Sequence, residues 1–84
     1  MDRAVQVEVL RRHSHYVGTL VSQLTDTLTQ LAQVLSAPGP PAAETAGLLT
    51  QCAALESRLR VETDLLVQRL HFFVEDTQSG PDAL

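Results

Sequence analysis

A proline- and glycine-rich segment, SAPGPPAA at residues 36–43, interrupts two long leucine-rich stretches of this chain. Apolar residues recur every seven positions on both sides of it. They are Leu10, Val17, Leu24 and Leu31 before the segment and Cys52, Leu59, Leu66 and Phe73 after it. A seven-residue repeat keeps one apolar stripe turned toward a neighbouring helix, whereas closely spaced prolines cannot continue a helix. The sequence therefore predicts an all-α fold, an antiparallel two-helix coiled-coil hairpin.

The predicted hairpin occupies the chain, residues 1–84, as a single domain. Helix one covers about 3–35, the Pro/Gly turn 36–42, helix two about 43–77 and a disordered tail 78–84. Asp2 is placed to cap helix one, and Pro41 suits the first turn of helix two because its missing N–H has no partner there. Folding back about Gly39 brings Val5 near Phe73. The two helices match in length, at roughly 50 Å each.

The predicted seam between the helices has two apolar rows on each helix. On helix one the second row lies three residues before the first. Its polar member, Ser14, either weakens the packing of the seam or leaves room for a larger residue of another helix. On helix two the accompanying residue shifts from Leu55 to Leu70, which indicates a stutter that rotates the seam. The whole predicted seam is Val7, Leu10, Val17, Val21, Leu24, Leu28, Leu31, Leu35, Leu48, Cys52, Leu55, Leu59, Leu66 and Leu70.

Apolar residues outside this seam predict a docking surface at the end of the hairpin away from the turn. They form a second stripe on each helix, and an apolar patch on a chain with so small a core is typical of an interface. Aromatic side chains are the natural anchors of such a surface. The alternative is that these residues only flank the seam and are half covered by it. The predicted interface is Val5, Val9, Tyr16, Leu20, Val61, Leu65, Phe72 and Phe73.

The sequence predicts no catalytic, cofactor-binding or metal-binding residues. Cys52 is the lone cysteine and cannot form an internal disulfide. His13 and His15 are two residues apart on a helix and point away from each other, so they cannot chelate one metal. No nucleophile adjoins a base, and we expect no enzymatic activity and no cofactor. The threonines of helix one are expected to be neutral surface, with phosphorylation left open. They are Thr19, Thr25, Thr27 and Thr29.

Charge and hydropathy narrow the class of partner. The net charge is −4, and the six basic residues are all arginine. The one dense basic patch, Arg11–Arg12, is interpreted as a solvated stripe, so we expect no nucleic-acid partner. No segment approaches the roughly 20 apolar residues that cross a bilayer, and the N-terminus does not resemble a secretory signal. The expected location is cytoplasmic, with association to the cytoskeleton or an organelle and a nuclear location left open.

A core this small rarely supplies more than about 3–5 kcal/mol of stability, so we expect partner chains to complete a larger helical bundle. In outline the whole chain resembles the small hairpin subunits of cytoskeletal, centrosomal, kinetochore and lysosome-positioning complexes. The sequence predicts a non-catalytic subunit that docks into a heteromeric complex of cytoskeletal, centrosomal or trafficking type. A self-sufficient homodimeric four-helix-bundle regulator is the alternative. A membrane-surface helical protein is less favoured, because the polar faces carry Gln, Thr and acids.

Overall fold

The computed structural model describes residues 2–78, which form a hairpin of two long helices. α1 spans Arg3–Ser36, and α2 spans Ala42–Gln78 and packs against α1. Within these residues no strand is present, so the predicted all-α helical hairpin is confirmed. Completion of the bundle by partner chains stays a prediction. The helix ends lie within one residue of the predicted bounds. Gln78, predicted as the first residue of the tail, belongs to α2, and the rest of the predicted tail, 79–84, lies outside the described residues.

Local hydrogen bonds and one glycine explain where the helices begin and end. The Asp2 carboxylate accepts the Ala4 backbone N–H at 3.4 Å, as expected of an N-cap in extended backbone. In the turn, Gly39 adopts a φ of +69°, a left-handed conformation that side-chain-bearing residues rarely accept. The Pro41 carbonyl then accepts the Thr45 backbone N–H at 3.0 Å and the Thr45 hydroxyl at 2.9 Å. The turn segment therefore both ends α1 and starts α2.

Burial identifies the seam between the helices. On α1 the shielded side chains are those of the Leu10 row and of the row three residues after it, which begins at His13. The sequence predicted the row three residues before it, which contains Val7. On α2 the rows continue through Glu62 without a shift, so the predicted stutter is wrong. The side chains shielded along this seam are Leu10, His13, Val17, Leu20, Leu24, Thr27, Leu31 and Val34 of α1 and Thr45, Leu48, Cys52, Leu55, Leu59, Glu62, Leu66 and Phe73 of α2.

Five residues predicted for the seam lie outside it, with 44–55 % of their surface exposed. They are Val7, Val21, Leu28, Leu35 and Leu70. For the four residues on α1, the physical reason is that the Leu10 row has apolar neighbours on both of its flanks, and α2 covers only one flank. Leu70 lies outside because the seam rows of α2 continue through Glu62 without the predicted shift. In the hairpin α2 covers the flank that carries His13, Leu20 and Thr27, although the uncovered flank is the more apolar of the two.

Two residues that were predicted to lie outside the seam, Leu20 and Thr27, are buried in it. Leu20 was predicted for the partner interface and Thr27 for neutral surface, yet only 5 % and 3 % of their surfaces are exposed. Both lie on the flank that α2 covers. Thr27 is accommodated there because its hydroxyl donates to the Gln23 carbonyl at 2.8 Å and so needs no partner from α2.

Candidate partner-binding surfaces

An open groove lies between the two helices at the end of the hairpin away from the turn. It has a volume of about 560 Å³, and its lining residues are Gln6, Val9, Leu10, Arg69, Phe72, Phe73 and Asp76. Phe72 leaves 70 % of its surface exposed, whereas Phe73 is half-buried. The Arg3 guanidinium lies over the Phe73 ring, 5.7 Å from its centroid, which ties the start of α1 to α2. The groove thus has apolar walls with polar groups among them.

Most of the predicted interface lies on the side of the hairpin that carries this groove. By their heptad positions, six exposed residues share that side, and we call them the groove face. They are Val5, Val9, Tyr16, Val61, Leu65 and Phe72. Phe73 lines the groove, and Leu20 does not belong to the face because it is buried in the seam. Sequence reasoning missed Gln6, Arg69 and Asp76, since polar residues give no apolar signal.

The opposite side of the hairpin is a second apolar surface, which we call the back face. Its exposed large side chains are Val7, Val21, Leu28 and Leu35 of α1 and Leu49, Val67, Leu70 and Val74 of α2. On α1 the two back-face rows run without a charged residue from position 14 to position 35. On α2 the charges in the middle of the face are Glu56 and Arg60, which form an ion pair with each other. Sequence reasoning missed Leu49, Val67 and Val74. The predicted stutter put Val67 and Val74 beside a supposed seam residue, Leu70, and Leu49 lies in the turn half, where no interface was predicted.

A histidine and a glutamate face each other inside the seam of the open half. The His13 Nε2 atom lies 3.5 Å from a Glu62 carboxylate oxygen, and the two side chains are 10 % and 15 % exposed. That distance permits charge attraction when the ring is protonated but is too long for a good hydrogen bond. Neither ring nitrogen has a hydrogen-bond partner among the described residues. Neither residue was predicted for the seam, because a polar side chain in a heptad row gives no apolar signal.

Three charged residues on the outer surface of α1 form a local ion-pair cluster. The Glu8 carboxylate accepts hydrogen bonds from Arg11 at 2.6 and 3.0 Å and from Arg12 at 2.9 Å. These hydrogen bonds, that of Arg11 first, lower the pKa of Glu8 from 4.5 to about 2, and the same contact raises the pKa of Arg11. The basic patch seen in the sequence is therefore partly neutralised by an acid one turn earlier.

The chain exposes more surface than a folded monomer of its size requires. Its accessible surface is 6245 Å². A compact monomer of 9.2 kDa exposes roughly 4,900 Å² by the usual scaling with mass. The excess is roughly 1,300 Å², and a stable protein–protein interface of standard size covers about 800 Å² on each partner. Two long helices without a third layer account for part of this excess through their elongated shape, and the excess is larger than one side of a standard interface.

No protein-family model, curated protein or solved structure matches this chain. Among the described residues, no three His, Cys, Asp or Glu side chains are grouped so that they would hold a metal ion. Neither helix, over the residues described, combines the length and the apolarity that a bilayer span requires. The groove face and the back face are the features of the described residues that bear on function.

Proposed function

We propose that this protein is a non-catalytic interaction subunit whose groove face docks onto an amphipathic helix of a different protein. The assembly would be a heteromeric helical complex of cytoskeletal, centrosomal or trafficking type. The observation that carries the proposal is Phe72, which is 70 % exposed at the edge of an apolar groove. A large aromatic side chain left in water beside a groove is typical of an interface anchor.

The shape and chemistry of the groove favour a helical partner. A helix laid along α1 and α2 inserts apolar side chains at three- and four-residue spacing between the two helices. Val9 and Phe72 would form the walls for such side chains, while Arg69 and Asp76 supply one charge of each sign beside them. Charges of both signs favour a partner helix with a complementary charge pattern. They determine the orientation in which that helix binds more than how tightly it binds.

The surplus surface supports the same proposal. The roughly 1,300 Å² that the hairpin exposes beyond a compact monomer is enough to accept a third helix. Burying Phe72, Leu65 and Val61 together removes three exposed apolar side chains from water, which is the main favourable term in most associations. A subunit of this kind therefore gains part of its stability from its partner.

Co-purification from cells tests this proposal. The variant carries Leu65→Asp and Phe72→Asp, which place two charges on the groove face of α2. The matched control carries Thr50→Asp and Ser57→Asp, which add the same charge to exposed positions on the outer row of the same helix. We expect mass spectrometry of the captured proteins to show at least about a 10-fold loss for the first variant and little change for the second.

Circular dichroism of both variants shows whether the hairpin itself is intact, which we expect because all four positions are exposed. Equal capture by the two variants, with both still helical, would contradict docking through the groove face. Partners lost equally from both variants would show that added negative charge, and not the site, is responsible.

A further inference from the structure

We infer that Ser14 is a phosphorylation site for a serine/threonine kinase that recognises arginine. The recognised segment is Arg11, Arg12, His13 and Ser14, near the open end of α1. This inference does not depend on the proposed heteromeric partner, because Ser14 lies outside the groove face. The observations that carry it are the spacing of the two arginines, the exposure of the segment and the weak burial of this part of α1.

Two arginines stand before Ser14 at the spacing that arginine-directed kinases read. Arg11 is three residues and Arg12 two residues before the acceptor hydroxyl. Such kinases hold these side chains on carboxylates beside the catalytic site, and guanidinium groups suit that role because they form paired, charge-assisted hydrogen bonds. No other serine or threonine of the sequence has two arginines at these positions. Thr63 has one, Arg60, but a glutamate directly precedes this threonine and opposes binding to an acidic surface.

The acceptor and both arginines face solvent in the hairpin. Ser14 is exposed, and the side chains of Arg11 and Arg12 are 69 % and 78 % exposed. Their partner in the hairpin is the Glu8 carboxylate. Exposed ion pairs contribute little free energy, so carboxylates of a kinase can replace Glu8 at small cost. A Cβ atom built at Gly18, one turn after Ser14, meets no atom within 4 Å, which leaves room for a phosphate.

Few buried side chains hold the part of α1 that contains Ser14. A kinase binds its acceptor in extended backbone, so the start of α1 has to open locally before transfer. Along α1 the first buried side chain is Leu20. His13 is enclosed in the seam, yet neither of its ring nitrogens has a hydrogen-bond partner among the described residues. Opening therefore gives water to two polar atoms that the closed hairpin leaves unsatisfied, which lowers its cost.

Magnesium-bound ATP supplies the phosphoryl group. A bond forms between the Ser14 Oγ atom and the γ-phosphorus, while the bond from that phosphorus to the β–γ bridging oxygen breaks and ADP leaves. The hydroxyl proton passes to the catalytic aspartate of the kinase. The product carries roughly 1.5 to 2 additional negative charges at Ser14 at neutral pH.

The phosphate changes both the local ion pairs and the back face. It lies one turn after Arg11 and competes with Glu8 for that guanidinium, while Arg12 keeps its hydrogen bond to Glu8 at 2.9 Å. The heptad row that contains Ser14 is otherwise apolar, and it consists of Val7, Val21, Leu28 and Leu35. A dianion in this row is costly to bury, so phosphorylation opposes the covering of the back face around Ser14.

A kinase assay on the full chain tests the inference. The probe is the catalytic subunit of cAMP-dependent protein kinase with magnesium and ATP. Mass spectrometry should find one phosphate, on Ser14, and Ser14→Ala should abolish it. Arg11→Gln and Arg12→Gln should each lower kcat/KM for Ser14 by about 10-fold or more, because each removes charge-assisted hydrogen bonds to the kinase.

Two controls separate recognition from loosening of the helix. Glu8→Gln frees both arginines from their ion pair without removing either, so kcat/KM for Ser14 should be equal to that of the wild type or slightly higher. Thr63 is an internal control, and it should remain unmodified while Ser14 is converted.

Equal kcat/KM for the wild type and both arginine variants would overturn the inference, since the arginines would then not direct the kinase. Phosphate on Thr63 as readily as on Ser14 would overturn it as well. Leu20→Asp places a charge in the seam and loosens the hairpin. Phosphate on Ser14 of this variant but not of the wild type would show that the intact hairpin closes the site, and absence of phosphate from Ser14 of both chains would equally contradict the inference.

Discussion

The half of the hairpin next to the turn and the half at its open end are built differently. Next to the turn, Leu20, Thr27 and Leu31 are the buried residues, and the one polar group among them bonds to its own helix. In the open half the seam instead contains the His13–Glu62 pair, and Phe72 is left largely in water. The first half stabilises the hairpin, whereas the second supplies the groove.

Chain connectivity explains why the halves differ in this way. Contacts beside the turn close a short loop and cost little chain entropy, while contacts at the open end close loops of more than 50 residues, and this cost rises with loop length. The polar pair therefore lies in the half of the seam that is farther from the connecting turn. Partner helices at the open end would supply the apolar contacts that the seam lacks there.

Thr27→Asp should lower the stability of the hairpin more than any other change, because it places a charge among the buried residues next to the turn. A charge buried without a partner costs about 3 kcal/mol or more, and a core of this size supplies only about 3–5 kcal/mol. We expect circular dichroism to show loss of cooperative melting and most of the helicity. Thr27→Val keeps the volume and removes only a self-bonded hydroxyl, so it should melt within a few degrees of wild type.

Phe72→Asp introduces the same charge in the open half and is compared with Thr27→Asp. It places the same charge on a side chain that is 70 % exposed, and we expect nearly unchanged helicity. If Phe72→Asp unfolds the chain as completely as Thr27→Asp does, the two halves contribute equally to stability, and the difference drawn above is wrong.

Much of the architecture was predictable from sequence. The turn segment and the seven-residue repeats are local signals, and they gave the hairpin and its ends to within one residue. Which flank of the Leu10 row faces α2 was not predictable from apolarity. The flank with Leu28 and Leu35 is the more apolar one, yet the hairpin buries the flank with Leu20 and Thr27. A heptad pattern predicts the apolar rows, whereas the path of the turn determines on which side of the Leu10 row α2 lies.

The exposed surfaces, like the seam, were only partly predictable from sequence. Exposed apolar residues such as Val61 and Phe72 were visible in the sequence because they stand outside any single helical stripe. His13 and Glu62 were not recognised, since polar residues at seam positions look like solvated surface until the register is known. Val21 and Leu28 were assigned to the hairpin seam because a sequence does not distinguish a row that meets the other helix of the hairpin from one that stays exposed.

Replacing the His13–Glu62 pair should have an effect of intermediate size on stability. Exchanging both residues for leucine gives the open half a seam like that of the turn half, and should raise stability by about 1–4 kcal/mol. His13→Leu alone should lower stability by about 1–3 kcal/mol, because Glu62 is then buried against an apolar side chain. Urea unfolding of the wild type, both single variants and the double variant gives the coupling energy. A double variant less stable than wild type would show that the pair stabilises the hairpin.

Glu8→Gln should have the smallest effect, because it removes a surface cluster of the open half that the seam does not use. The pKa of Glu8 is lowered from 4.5 to about 2 by hydrogen bonds from Arg11 and Arg12. Because the folded-state pKa is the lower one, the cluster stabilises the helix above pH 4.5, and this contribution is lost as the pH falls toward 2. The melting temperatures of wild type and Glu8→Gln should therefore differ slightly at pH 7 and coincide near pH 2. Salt should reduce the difference at pH 7, since the cluster is exposed to solvent. A difference that persists near pH 2 would show that Glu8 acts through packing against the open half and not through its charge.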